Sequence, residues 1–183
     1  MKTFISILIL FLFSFGSLNA QDKKMAVGAG LVISLPIGSF GDAANLGIGG
    51  TAAFELKFMP QLMGVGQIGY ISYSTESDNI SFSTVPLLLG VKYFFMPAGG
   101  FYGIGQLGIN FFSTSTDIPS YNVAGYNFGG GSYSASSSEF TFALGAGYEV
   151  PVSPNVLLDF SGTFQLISNF NNILFRAGGK IGI

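Results

Sequence analysis

Cysteine, histidine and tryptophan are all missing from this chain of 183 residues. Without cysteine there are no disulfides, no thiolate metal sites and no thiol for N-terminal lipidation. Without histidine the commonest general base is gone, and with it the nucleophile pairs built on it. Charge is scarce too. Asp, Glu, Lys and Arg make up 9% of the residues, against about 25% in ordinary soluble domains. The formal net charge of -2 offers no basic patch for nucleic acid. Past residue 20 no stretch approaches the ~20 unbroken apolar residues that a membrane helix needs.

What is present is apolarity spread over alternate positions. In residues 139–150, Phe140, Phe142, Leu144, Ala146, Tyr148 and Val150 are separated by Thr141, Ala143, Gly145, Gly147 and Glu149. A period of two is a strand with two unlike faces. The pattern recurs over residues 25–35, 46–58, 62–73, 85–95, 101–112 and 156–167, and from 173 to the end. Residues 62–73 are the least regular. If Gln67 faces one way, so do Met63, Val65, Ile71 and Tyr73, and Gly64, Gly66 and Gly69 offer places for a face-switching bulge.

The connections alternate in length. Residues 36–45, 74–84 and 113–138 are long, 59–61, 96–100 and 151–155 are short turns, and the modest loop 168–172 takes the last long place in the alternation. Ahead of the strands, residues 1–20 have the pattern of a secretory signal peptide, with Lys2, an apolar run from Phe4 to Phe15, and Ala20 before a polar segment. The domain expectation is therefore a cleaved signal peptide over 1–20 and one barrel domain over 21–183.

The charges decide which way the apolar face points. Within the strands they are Glu55, Lys57, Lys92, Glu149, Asp159, Arg176 and Lys180, all on the face opposite the large apolar residues. A narrow barrel fills its interior with side chains, so small residues and mutually paired ions suit it. A charge in mid-membrane on the lipid side would cost about 2–4 kcal/mol. A soluble barrel with the pattern reversed would show water a surface of Gly, Ala and Ser with few charges, poor for solubility. The pattern thus predicts an all-β fold: an eight-stranded antiparallel up-and-down transmembrane β-barrel. It would lie in the outer membrane, monomeric, with long loops outside and both termini periplasmic. Tyr70, Tyr73, Phe111 and Phe112 fall near one strand end, and Phe58, Phe94, Phe95, Phe101, Tyr102 and Tyr148 near the other; they suit two aromatic girdles, with inward-pointing rings among them as the alternative.

Residues 28–54, which begin Gly-Ala-Gly-Leu-Val-Ile-Ser-Leu-Pro, resemble the first hairpin of small outer-membrane barrels of Bacteroidetes-type bacteria. Residues 85–95, Val-Pro-Leu-Leu-Leu-Gly-Val-Lys-Tyr-Phe-Phe, resemble the fourth strand of that family, and the likeness continues through Gly145-Ala-Gly-Tyr-Glu149 to the end. The family is similar in fold to OmpA- and OmpX-type barrels and includes PorT-like domains. The resemblance implies that fold and no particular activity. Ile183 departs from the Phe or Trp with which many such barrels end.

Function has three readings. The first is a non-enzymatic structural or surface-interaction barrel working through its loops. Its partners would be outer-membrane lipid and lipopolysaccharide, with an extracellular or secretion-apparatus protein. Candidate contacts are Tyr121, Tyr126, Phe128 and Tyr133 in residues 113–138, amphipathic rings among Ser and Gly. The second is a narrow channel for small solutes or hydrophobic small molecules, lined by the seven strand charges. The third, an enzyme, lacks a histidine base and any evident catalytic constellation. No metal-ligand spacing appears, and no cofactor is expected. The loop acids Asp42, Glu76, Asp78 and Asp117 make an acidic rim that suits divalent cations bridging lipopolysaccharide, or a plain solvated surface.

Overall fold

A computed structural model describes residues 24–183, apart from 39, 42–43, 76–79, 97–99, 124–125 and 169. The segment read as a signal peptide lies outside the described residues. Eight strands follow in order: β1 (Met25–Pro36), β2 (Gly47–Met59), β3 (Leu62–Tyr73), β4 (Ile80–Phe94), β5 (Phe101–Val123), β6 (Tyr126–Ser153), β7 (Val156–Leu166) and β8 (Asn172–Gly182). Each pairs antiparallel with its neighbour, and β1 pairs with β8 along Ala26↔Gly182 to Pro36↔Asn172, closing the ring. The fold class is the one the alternation predicts.

Period two sorts the side chains as the sequence implies. Leu31, Ile48, Phe54, Leu89, Leu107, Phe140, Leu144, Phe160 and Phe175 stand exposed on the outer wall. The facing positions, among them Ser34, Thr51, Gln106, Asn110, Thr141, Thr163 and Gln165, are buried inside. An apolar surface this continuous is unsuited to water and suited to lipid. Close approach between strands requires glycine at several inward positions. A Cβ on Gly49, Gly90 or Gly108 would overlap a neighbouring strand's carbonyl oxygen.

Strand β3 keeps one face throughout. Val65, Ile71 and Tyr73 are buried, and the β2–β3 register is unbroken from Gly47↔Tyr73 to Lys57↔Met63. Its glycines host no bulge against β2; the register shifts at the short turns instead, at Lys57/Met59 and Pro151/Ser153. Pro86 stands mid-strand rather than near a strand start, because β4 begins at Ile80. The β3–β4 pairing skips Gly69 and Tyr70 at its level, as a residue without an N–H demands.

Two stretches expected as loop are strand. Residues 80–84 belong to β4. Much of the long connection 113–138 is also strand: β5 and β6 continue as one antiparallel hairpin to Val123↔Tyr126. Of the two supposed girdles, Tyr73, Phe112, Phe94 and Tyr102 point inward and are buried, whereas Tyr70, Phe111, Phe58, Phe95, Phe101 and Tyr148 face out. The start of β1 meets Ile183, just past β8, at the short-turn end, where the Ile183 N–H donates to the Met25 carbonyl at 2.9 Å.

Candidate functional site

Strands far apart in sequence aim six charged side chains at one level of the interior. Glu55 comes from β2, Lys92 from β4, Glu149 from β6, Asp159 from β7, and Arg176 and Lys180 from β8. All six are buried. The Lys92 ammonium is the hub, donating to Glu55 Oε1 at 2.5 Å, Asp159 Oδ2 at 2.8 Å and Glu149 Oε1 at 3.2 Å. Lys180 bridges Glu55 Oε2 at 2.6 Å and Glu149 Oε1 at 2.5 Å. Arg176 Nη1 reaches Asp159 Oδ2 at 3.1 Å while its Nε donates to Thr51 Oγ1 at 2.9 Å. The Tyr102 hydroxyl donates to the other Asp159 oxygen at 2.5 Å, and Lys92 Nζ sits 4.5 Å from the centre of its ring.

Three cations meet three carboxylates, so the group is neutral as a whole. That is the condition under which buried charges persist. The three carboxylates also approach one another closely enough to suggest a metal cage, with ligand oxygens within 4.8 Å. Their charge is already met by the ammonium groups of Lys92 and Lys180 lodged among them. Lys57 stands on the same face nearer the β2–β3 turn and is half-buried rather than buried. So close to a strand end, the barrel no longer encloses a side chain fully.

The interior is filled on both sides of this network. Phe94 and Tyr102 close the short-turn side, with ring centroids 5.4 Å apart. Toward the hairpin end runs a polar layer, in which Thr84 donates to Asn110 at 3.1 Å and Asn110 to Thr141 at 2.7 Å. Beyond it lies an aromatic plug of Phe40, Tyr73, Phe82, Phe112 and Phe170. Phe40 and Phe170 come from connections rather than strands; Phe40 is 2% exposed and packs 5.3 Å from Phe170 between centroids. The cavity bordered by Glu55, Lys92, Tyr102 and Asp159 measures about 10 Å³, room for roughly one water.

Residues 113–138 supply the other candidate surface. Along the hairpin Tyr121 pairs with Phe128 and Val123 with Tyr126, while the side chains of Tyr121, Tyr126 and Phe128 lie outside the described residues. Tyr133 is 74% exposed. Residues 130–138 are exposed on both faces of the ribbon, so this arm stands clear of the barrel wall. Asp42, Glu76 and Asp78 fall outside the described residues; Asp117 pairs with Ser132 at the level where β4 has ended. The aromatic plug went unseen in the sequence. Phe40 and Phe170 stand in the sequence as lone rings in Gly- or Asx-rich connections.

No family model matches the chain, and no curated protein matches it in sequence. Solved structures match its fold. The attachment invasion locus protein Ail of Yersinia pestis superposes with a TM-score of 0.62 at 14% identity, over 88% of this chain and 99% of that one. A major outer membrane protein of Thermus thermophilus gives 0.57 at 16% identity, covering 85% and 98%. Neisserial surface protein A gives 0.56 at 16% identity, covering 87% and 97%. At such identities the likeness is one of fold: this is the eight-stranded barrel architecture of outer-membrane proteins.

Proposed function

We propose that this chain is a non-enzymatic, plugged barrel of the outer membrane that works as a surface-interaction scaffold. In this reading residues 1–20 direct export and are removed. Both termini are periplasmic, and the β5–β6 hairpin projects outside as the contact element of a monomer. The observation that carries it is the contrast between a charged layer whose cavity has space for about one water and a hairpin exposed on both faces over residues 130–138. An eight-stranded barrel leaves little lumen, and here ions, amides and rings occupy it. Lipid covers the apolar wall and lipopolysaccharide surrounds the rim. The partner is an extracellular or secretion-apparatus protein. The likeness of residues 28–54 and 85–95 to Bacteroidetes-type, PorT-like barrels supports a place in that lineage.

One of the similar structures is Ail in complex with the heparin analogue sucrose octasulfate, a polyanion. This chain has no Lys or Arg in residues 36–45, 74–84, 113–138 or 168–172. Its surface therefore does not suit a polyanion of that kind.

Planar-bilayer conductance of the refolded barrel tests the reading, once gel mobility with and without boiling has established folding. Silence is the expected result. Stable ion steps that change in Lys92→Ala would overturn the scaffold in favour of a narrow channel.

A further inference from the structure

The β5–β6 hairpin outruns both of its flanking strands. Strand β4 leaves β5 at Ile80↔Thr116, and β7 reaches β6 only from Phe142↔Leu166. Hence the edge of β6 that faces β7 lower down has no strand beside it from Tyr126 to Thr141 among the described residues. In an antiparallel ladder alternate residues turn both N–H and C=O toward one neighbour and the rest turn them away. Every second backbone amide along that edge is thus presented to the outside. Natural edges are usually blunted by proline, bulges or lysine. Residues 130–138, Gly-Gly-Ser-Tyr-Ser-Ala-Ser-Ser-Ser, hold no charge and no proline, and the β5–β6 pairing runs without a shift of register from Ile118↔Gly131 through Phe111↔Ser138. Their small side chains would let another backbone approach.

A second observation selects the partner's charge. Among the described residues no Lys or Arg lies at this end. Lys2, Lys23 and Lys24 precede β1, Lys57 adjoins a short turn, and Lys92, Arg176 and Lys180 are buried inside. In sequence, the charged residues of connections 36–45 and 74–84 and of the hairpin stretch 113–139 are all acids: Asp42, Glu76, Asp78, Asp117 and Glu139. Like charges near an interface are repelled and unlike ones are steered toward it. A second copy would bring a second set of the same acids.

We propose that the free edge of β6 over residues 130–138 receives an extended, lysine- or arginine-bearing protein segment as an added strand. This rests on the surface-interaction reading and names its partner chemistry. Main-chain hydrogen bonds would supply the affinity and the acidic surroundings the selectivity.

Hydrogen exchange on the full barrel in phospholipid nanodiscs tests it. The probes are a short peptide alternating Thr and Val with Lys at both ends, its Glu counterpart, and the Lys peptide N-methylated at every second residue. The Lys peptide should slow exchange about tenfold at alternate amides of residues 131–138, and the other two should leave it unchanged. Ser134→Lys should abolish the protection while the barrel still shows its folded gel mobility. Protection by none of the peptides would overturn the proposal. Equal protection by the Glu peptide would overturn the cationic partner. Protection that grows with protein concentration alone would replace it with a second copy. A conducting barrel would sink the parent reading; a silent barrel with an unprotected edge sinks this proposal only.

Discussion

Lys92→Ala is expected to lower barrel stability by about 3–5 kcal/mol, the usual cost of stranding buried charge. The size follows from the hub geometry. One ammonium donates to Glu55, Asp159 and Glu149, and its removal leaves three buried carboxylates with two cations, Lys180 and Arg176, within reach among the described residues. Arg176→Ala should cost less, because Asp159 keeps Lys92 at 2.8 Å and the Tyr102 hydroxyl at 2.5 Å. Replacing all six charged groups by well-packed apolar ones should be far milder than either loss of a partner, since a missing partner and not the absence of charge is what costs most. The check is the thermal midpoint of heat-modifiable gel mobility in detergent, compared across these variants. A Lys92→Ala midpoint equal to that of the parent would show that the network does not hold the barrel in the way its geometry indicates.

Leu89→Lys should block membrane assembly, whereas deleting part of residues 131–137 should not. Leu89 stands on the outer wall at 63% exposure, and its neighbour Leu88 is fully buried inside. A lysine at position 89 would meet hydrocarbon, at a penalty of about 2–4 kcal/mol near the bilayer midplane. Phe142→Lys, likewise outward-facing, should behave similarly. The hairpin residues contribute no wall and fill no interior, so their loss removes nothing that the ring requires. Folding yield into vesicles of outer-membrane lipid measures both. Equal losses from the wall substitution and the hairpin deletion would argue that the wall does not face lipid.

These two contrasts also show what was legible in the sequence. The wall could be read residue by residue because each strand carries one kind of side chain toward lipid and another toward the interior, and strong contrast makes period two visible. The exception was β3, whose glycines left its register open in the sequence until the pairing with β2 fixed it. The hairpin could not be read this way. Both of its faces meet water over residues 130–138, so the alternation vanishes although the strands continue. Ser and Gly then read as loop. The seven interior charges were visible as a set, but their partners were not. Which ammonium meets which carboxylate depends on how strands distant in sequence are staggered, and no local pattern encodes that. The same holds for Phe40 and Phe170: a ring in a connection gives no sign of whether it folds back into the barrel mouth.

The seam between β1 and β8 has a consequence for how the molecule comes into being. It joins the first strand to the last, so the contact that completes the ring spans the whole run of strands and carries the largest loop-closure entropy of any strand pair. Such non-local pairing is slow. In hydrocarbon an open ring would leave two raw edges whose amide and carbonyl groups have no water to turn to, each costing several kcal/mol. There is accordingly no half-built version to pause at: the first strand made must stay available until the last arrives, and insertion and closure become one cooperative event.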